Sequence, residues 1–219
     1  LIIRNIAFAV YVGKPMKKLF LTSSFSSVAK LFEDFAGEPV KGKKLAFIPT
    51  ASLVEKVRFY VDDDRKAFEK LGLIIEELEV STATTEEIAT ALERNDYIFI
   101  SGGNTFYLMQ ELKKKGADKL LIEQINNGKL YIGTSAGSII ASPNIEFVSD
   151  MDETKKASEL TEYSGLHLVD FYLLPHYLNF PFEEYSPKID LRPISNNQVI
   201  TVLGDEIKTL EKPKRAAKK

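Results

Sequence analysis

Leu130-Tyr131-Ile132-Gly133-Thr134-Ser135-Ala136-Gly137-Ser138-Ile139-Ile140-Ala141 passes from an apolar strand, through a G-x-S-x-G turn, into the start of a helix. A serine on such a turn has its hydroxyl lifted clear of the sheet, provided the backbone bends sharply around it. Gly133, Ala136 and Gly137 are the small neighbours that permit the bend and let a substrate approach. The N–H of Ala136, at the mouth of the helix, points toward an anion forming beside Ser135. The bland alternative is a helix-capping serine with glycines serving packing. Placement between a strand and a helix favours a nucleophile.

Upstream of this turn, strand and helix signals alternate. Residues 18–22 read as a first strand. Residues 25–35 carry Val28, Leu31, Phe32 and Phe35 at helical spacing, stopped by Gly37. Residues 44–48 are a continuous apolar run, the mark of a strand covered on both faces. The next helix has Val57, Tyr60, Val61, Ala67, Phe68 and Leu71 on one side and closes at Gly72. Residues 73–78, 97–100 and 130–132 read as three more strands. Thr84 and Glu87 form a capping-box signature for a helix to Glu93, and residues 104–115 and 117–126 read as two further helices. Repeated strand–helix–strand units predict an α/β fold: an open, mostly parallel, doubly wound, flavodoxin-like sheet with helices on both faces. Beyond residue 140 the alternation fades. Residues 171–174 look like another buried strand, and residues 198–203 and 207–210 around Gly204-Asp205 predict a C-terminal β-hairpin.

Bulk properties narrow the function. At 44% hydrophobic and 27% charged the chain is an ordinary globular one, and 219 residues suit a single large domain. That domain is expected over residues 16–211, with residues 1–15 as an extension outside the core and 212–219 as a basic tail. A net charge of -2 favours neither nucleic acid nor an anionic membrane. The chain has no cysteine, which excludes disulfides, thiolate metal sites and a cysteine nucleophile, and fits a cytoplasmic location. No cofactor and no metal are expected; the expected state is a monomer or homodimer.

Ligands of open parallel sheets sit at the carboxyl ends of the strands, so chemistry is sought after Ile100 and Ile132. After Ile100, Gly102-Gly103-Asn104 is either a plain turn with an Asn cap or a second source of backbone N–H donors. A serine nucleophile needs a base, usually histidine, held by a carboxylate. There are two histidines. His176 follows the buried run 171–174 and falls on the rim of Ser135; His167 precedes it and falls at the opposite rim. For the acid, Asp150, Asp152 and Glu153 cluster after the elbow, and Glu183, Glu184 and Asp190 come later.

Four pieces in order, Ser101-Gly102-Gly103-Asn104-Thr105-Phe106, Tyr131 to Gly137, Asp150-Met151 and Pro175-His176-Tyr177, resemble the peptidase E (aspartyl dipeptidase) family of serine peptidases. The likeness runs from about Met16 to Pro181. It implies a fold like that of class I glutamine amidotransferases, with serine in place of their elbow cysteine. Carried over by position, Ser135 is the nucleophile, His176 the base, Asp150 the residue orienting it, and the N–H groups of Gly103 and Ala136 the oxyanion donors. Gly102, Asn104, Thr134 and Arg192 then face a short peptide substrate, extending to dipeptides with N-terminal Asp. Two departures bear on that last preference. Thr134 stands where the dipeptidases carry a tryptophan, and Arg192 is the one arginine between His176 and the basic tail.

Two other classes compete. An α/β-hydrolase esterase shares the motif and the order Ser, Asp, His, but 15 residues from Ser135 to Asp150 leave no room for its intervening units. A non-catalytic ligand-binding relative would keep the pocket without the reaction. A nucleotide-binding protein is weaker still, since no G-x-G-x-x-G or Walker pattern accompanies the Gly-Gly-Asn turn.

Overall fold

The computed structural model of the protein describes residues 16–178 and 191–213. The expected extension 1–15, most of the basic tail, and Glu183, Glu184 and Asp190 lie outside the described residues. The short apolar runs form parallel strands β1 (Lys18–Thr22), β2 (Lys44–Ile48), β3 (Ile74–Glu77), β4 (Tyr97–Ile100) and β5 (Leu130–Thr134). Helices α1 (Phe25–Ala36), α2 (Phe59–Lys70), α3 (Thr85–Arg94), α4 (Thr105–Lys114), α5 (Ala117–Asn126) and the single turn α6 (Ala136–Ile139) connect or follow them. Strands β6 (Tyr172–Leu174), β7 (Leu191–Pro193), β8 (Gln198–Leu203) and β9 (Glu206–Glu211) complete the chain. Sheet order is β3-β2-β4-β5-β1-β8-β9. β8 runs antiparallel to β1 and pairs with β9 in the expected hairpin.

Successive side chains of a strand point to opposite faces, so each strand feeds two cores. Leu19 and Leu21 of β1 join residues of α3, α4 and α5 on one side, and Phe20 joins α1 and α2 on the other. The second core is mostly aromatic. Phe25 stacks on Phe68 with 3.9 Å between ring centroids, and Phe47 and Phe99 meet Phe68 edge-on. Phe68 is fully buried, so Phe68→Ala is expected to lower the unfolding free energy by about 3–5 kcal/mol. A urea titration with unchanged slope reads that loss. A loss under about 1 kcal/mol would mean that the neighbouring rings close the hole.

Local signals hold where they were strongest. Thr84 Oγ1 accepts from Glu87 N–H and the Glu87 carboxylate accepts from Thr84 N–H, closing the capping box at the start of α3. The β3 edge is guarded by charge: Glu76 pairs with Arg94 and Glu77 with Arg65. Three expectations change. α2 begins at Phe59, leaving Val57 before it and 59% exposed. β5 runs on to Thr134, because Gly133 and Thr134 still pair with Leu21 and Thr22 of β1. β6 stands outside the main sheet and pairs in parallel with β7. Among the described residues no helix is long and apolar enough to cross a membrane.

Candidate active site

Ser135 sits between β5 and α6 at φ 49° and ψ -109°. A non-glycine residue is held there only when its surroundings over-determine it, and here they do. Ser135 N–H donates to Thr22 O at 2.9 Å. The Ser138 hydroxyl donates to the same carbonyl at 2.7 Å and accepts from Thr22 N–H at 2.9 Å, tying the elbow to β1. Tyr131, buried in β5, donates from its hydroxyl to Gly137 O at 2.5 Å. A Cβ on Gly137 would lie 2.2 Å from Ile100 O, so β4 and the elbow touch there backbone to backbone. These are the constraints that the G-x-S-x-G spacing encodes.

His176 reaches the elbow from β6. The β6 and β7 pairing aligns Leu174 with Pro193, which carries His176 and Asn196 side by side just past the strand ends. Ile194 N–H donates to Leu174 O at 2.9 Å and Tyr177 N–H to Ile194 O at 3.1 Å. Ser23, directly after β1, accepts from His176 N–H at 3.0 Å and donates to Ile194 O at 2.9 Å. His176 itself has φ 60°. The ring is thereby set with Nε2 3.0 Å from Ser135 Oγ and Nδ1 2.7 Å from Asn196 Oδ1. An amide oxygen only accepts, so Nδ1 carries the proton and Nε2 presents a lone pair to the Ser135 hydroxyl.

These three side chains line a cavity of about 390 Å³ whose wall includes Gly102, Gly103 and Thr134. Gly103 has φ +138°, and a Cβ there would meet Ala51 O at 2.1 Å. Among the described residues neither Gly103 N–H nor Ala136 N–H donates to a protein acceptor. A serine on a strained turn, an imidazole with Nε2 on that serine, and two uncommitted N–H groups can perform acyl transfer.

Comparison with known proteins agrees with this chemistry. The family model for peptidase family S51 matches residues 19–210. The chain belongs to that family. An uncharacterized peptidase of Listeria monocytogenes is 53% identical over 202 residues, spanning 89% of this chain and 98% of the relative. An uncharacterized peptidase of Pasteurella multocida is 51% identical over 195 residues, spanning 85% and 94%. A peptidase E of Nostoc sp. is 31% identical over 169 residues, spanning 74% and 66%. The crystal structure of a protein assigned as a peptidase E from Listeria monocytogenes matches with a TM-score of 0.86 at 51% identity, over 90% of this chain and all of that one. The protein is a peptidase.

Within this S51 peptidase, three expected site residues stand elsewhere than the sequence suggested. Asp150 does not face His176. Turns closed by Met151 N–H and Asp152 N–H onto Val148 O leave Asp150 exposed beside a separate surface depression. Its neighbour Asp152 lines the catalytic cavity instead, with Oδ2 accepting from Thr105 N–H at 2.8 Å. Arg192 is exposed on β7, with its guanidinium 4.2 Å over the Phe171 ring, and is not among the lining residues. Asn104 is buried; its side chain caps α4 by accepting from Tyr107 N–H at 2.8 Å and donates to Glu153 O at 3.2 Å. His167 is exposed with Asp170 and takes no part. The Thr134 hydroxyl is turned to Thr22 Oγ1 at 3.0 Å.

Asn196, Glu55, Tyr60 and Asp64 are site residues that sequence reasoning passed over. Asn196 lies in the turn before β8, where an asparagine is expected for turn geometry alone. Asp64 carried a signal: it falls on the buried stripe Val61, Asp64, Phe68 of α2, where an apolar residue is expected. Among the described residues no group of three or more histidines and carboxylates is placed to hold a metal ion.

Burial holds the His176 imidazole below its ordinary 6.5, partly opposed by the hydrogen bond to Asn196. The base must be neutral to accept a proton, so a lowered value keeps it competent to lower pH. The acid limb of a kcat/KM profile is therefore expected to have its midpoint below pH 6.5. A midpoint above that value would contradict the burial argument.

Proposed function

We propose that this S51 peptidase cleaves short peptides through an acyl-enzyme on Ser135, with His176 as the base and Asn196 holding the imidazole. The observation that carries the reading is the relay Ser135 Oγ to His176 Nε2 at 3.0 Å and His176 Nδ1 to Asn196 Oδ1 at 2.7 Å. In the first step His176 takes the Ser135 proton as Oγ bonds to the peptide carbonyl carbon. The carbonyl electrons move onto oxygen, where Gly103 and Ala136 N–H donate; each such donor lowers a barrier by about 3 kcal/mol. His176 then gives its proton to the leaving nitrogen as the C–N bond breaks. A water repeats the sequence and frees the acid. Asn196 keeps the tautomer and ring plane throughout but cannot neutralise the imidazolium as a carboxylate would.

The reading covers peptides without a preference for N-terminal aspartate. A buried substrate carboxylate needs a cationic partner. Glu55, Asp64 and Asp152 line the cavity, and no lysine or arginine is among its described lining residues. The apolar wall of Val57, Phe59 and Tyr60 offers contact area for a substrate side chain. The test is a fluorophosphonate probe together with hydrolysis of a dipeptide panel. Labelling of Ser135 and release of amino acids support the reading. A folded protein that neither labels nor cleaves any amide would overturn it in favour of a ligand-binding relative.

A further inference from the structure

The buried carboxylate of α2 has one oxygen that the fold does not use. Asp64 is 1% exposed. Its Oδ1 accepts from Ser26 N–H at 2.9 Å, in the first turn of α1. Among the described residues its Oδ2 has no hydrogen-bond partner, and the residue lines the catalytic cavity. The hydroxyls of Ser26 and Thr134 ease its ionised form, yet neither completes a bond to Oδ2. The Thr134 hydroxyl also lies 3.0 Å from Thr22 Oγ1. One turn earlier on the same helix face, the hydroxyl of Tyr60 is also buried, also unpartnered and also in the cavity wall.

The other two carboxylates described at the cavity leave no oxygen both buried and unpartnered. Glu55 accepts from Lys156 Nζ at 3.0 Å, and Asp152 accepts from Thr105 N–H. Leaving a buried oxygen unsatisfied costs about 1–3 kcal/mol, and the expense falls at a wall of the reaction chamber rather than in the core. We propose that Asp64 Oδ2, with the Tyr60 hydroxyl, is the subsite for a substrate ammonium group, and that the free α-amine of a short peptide is the ammonium that fits. The inference rests on the peptidase reading given above. Tyr60 borders Gly102, whose Cβ position lies 3.7 Å from the Tyr60 ring and 3.2 Å from Ser135 Cβ. An α-nitrogen stands only about 2.5 Å from the carbonyl carbon under attack, so its site must share the cavity of the nucleophile, which both residues line. An ammonium brings three donors and a positive charge. Burial, partly opposed by hydrogen bonds from Ser26 and Thr134, pushes the Asp64 carboxyl up to about 7; a bound ammonium relieves that cost by pairing with the ionised form.

Binding tests this without turnover. Ser135→Ala protein is titrated calorimetrically at pH 8 with alanyl-alaninamide, N-acetyl-alanyl-alaninamide, Nα-acetyl-lysinamide and N-acetyl-aspartyl-alaninamide. A charge-assisted hydrogen bond predicts that the free α-amine binds about 10- to 100-fold tighter than its acetylated form. Adding Asp64→Asn should bring that ratio close to one. Preference for Nα-acetyl-lysinamide would keep the ammonium subsite and assign it to a side chain. Equal binding of all four, or preference for the aspartyl ligand, would overturn the proposal. If the double variant does not fold, the ratio in Ser135→Ala protein alone still decides. Failure of the hydrolase reading is scored separately, as an unlabelled Ser135 in wild-type protein.

Discussion

Ser135→Ala is expected to lower kcat by about 10⁴- to 10⁶-fold on any peptide that the wild-type protein cleaves. Fluorophosphonate labelling should vanish with it. Alanine has the same backbone preferences as serine, and the elbow is held by Thr22, Tyr131 and Ser138 rather than by the Ser135 hydroxyl. Stability should therefore stay within about 1 kcal/mol of the parent, read as an unchanged denaturant midpoint. A residual rate above water is expected, because the N–H groups of Gly103 and Ala136 survive the change. The Ser135→Ala/His176→Ala pair should cost about as much as either change alone, since the two act as one unit. Losses that simply add would show that His176 works on something other than the serine.

Asn196→Ala should cost about 10²- to 10⁴-fold in kcat with little change in KM, because the ring loses the acceptor that fixes its tautomer. Asn196→Asp keeps an oxygen in the same place and adds a charge beside the imidazole. The histidine should then hold its proton to higher pH, and the acid limb of the pH profile should move upward. Asp150→Asn is the contrasting case. That residue is exposed and away from the cavity, so activity should change by less than about two-fold. If Asp150→Asn proves the more damaging of the two, the role given to Asn196 is wrong.

The parts legible in the sequence are those carried by short-range chemistry. Apolar runs of strand length located β1, β2 and β4, a Thr/Glu pair three apart located the start of α3, and small residues flanking Ser135 located the elbow. His176 was reachable because the chain has two histidines and one of them follows a strand. Asn196 was not. Asp150 is near Ser135 in the chain, and the resemblance to aspartyl dipeptidases favoured a carboxylate there. Nothing local says that the turns after Val148 point it outward.

By itself, then, the sequence determined the α/β class and singled out Ser135 and His176 as the candidate pair, since each is written in a contiguous pattern of side-chain size and backbone permissiveness. Only the tertiary structure decided what stands behind the imidazole and what faces the substrate. Asn196 meets His176 because β6 pairs in parallel with β7 outside the main sheet. Asp64 enters the cavity because α1 and α2 pack on one face of that sheet beside the elbow. Both are contacts between segments far apart in the chain, and spacing along a sequence carries no information about such pairings until the cores that enforce them have formed.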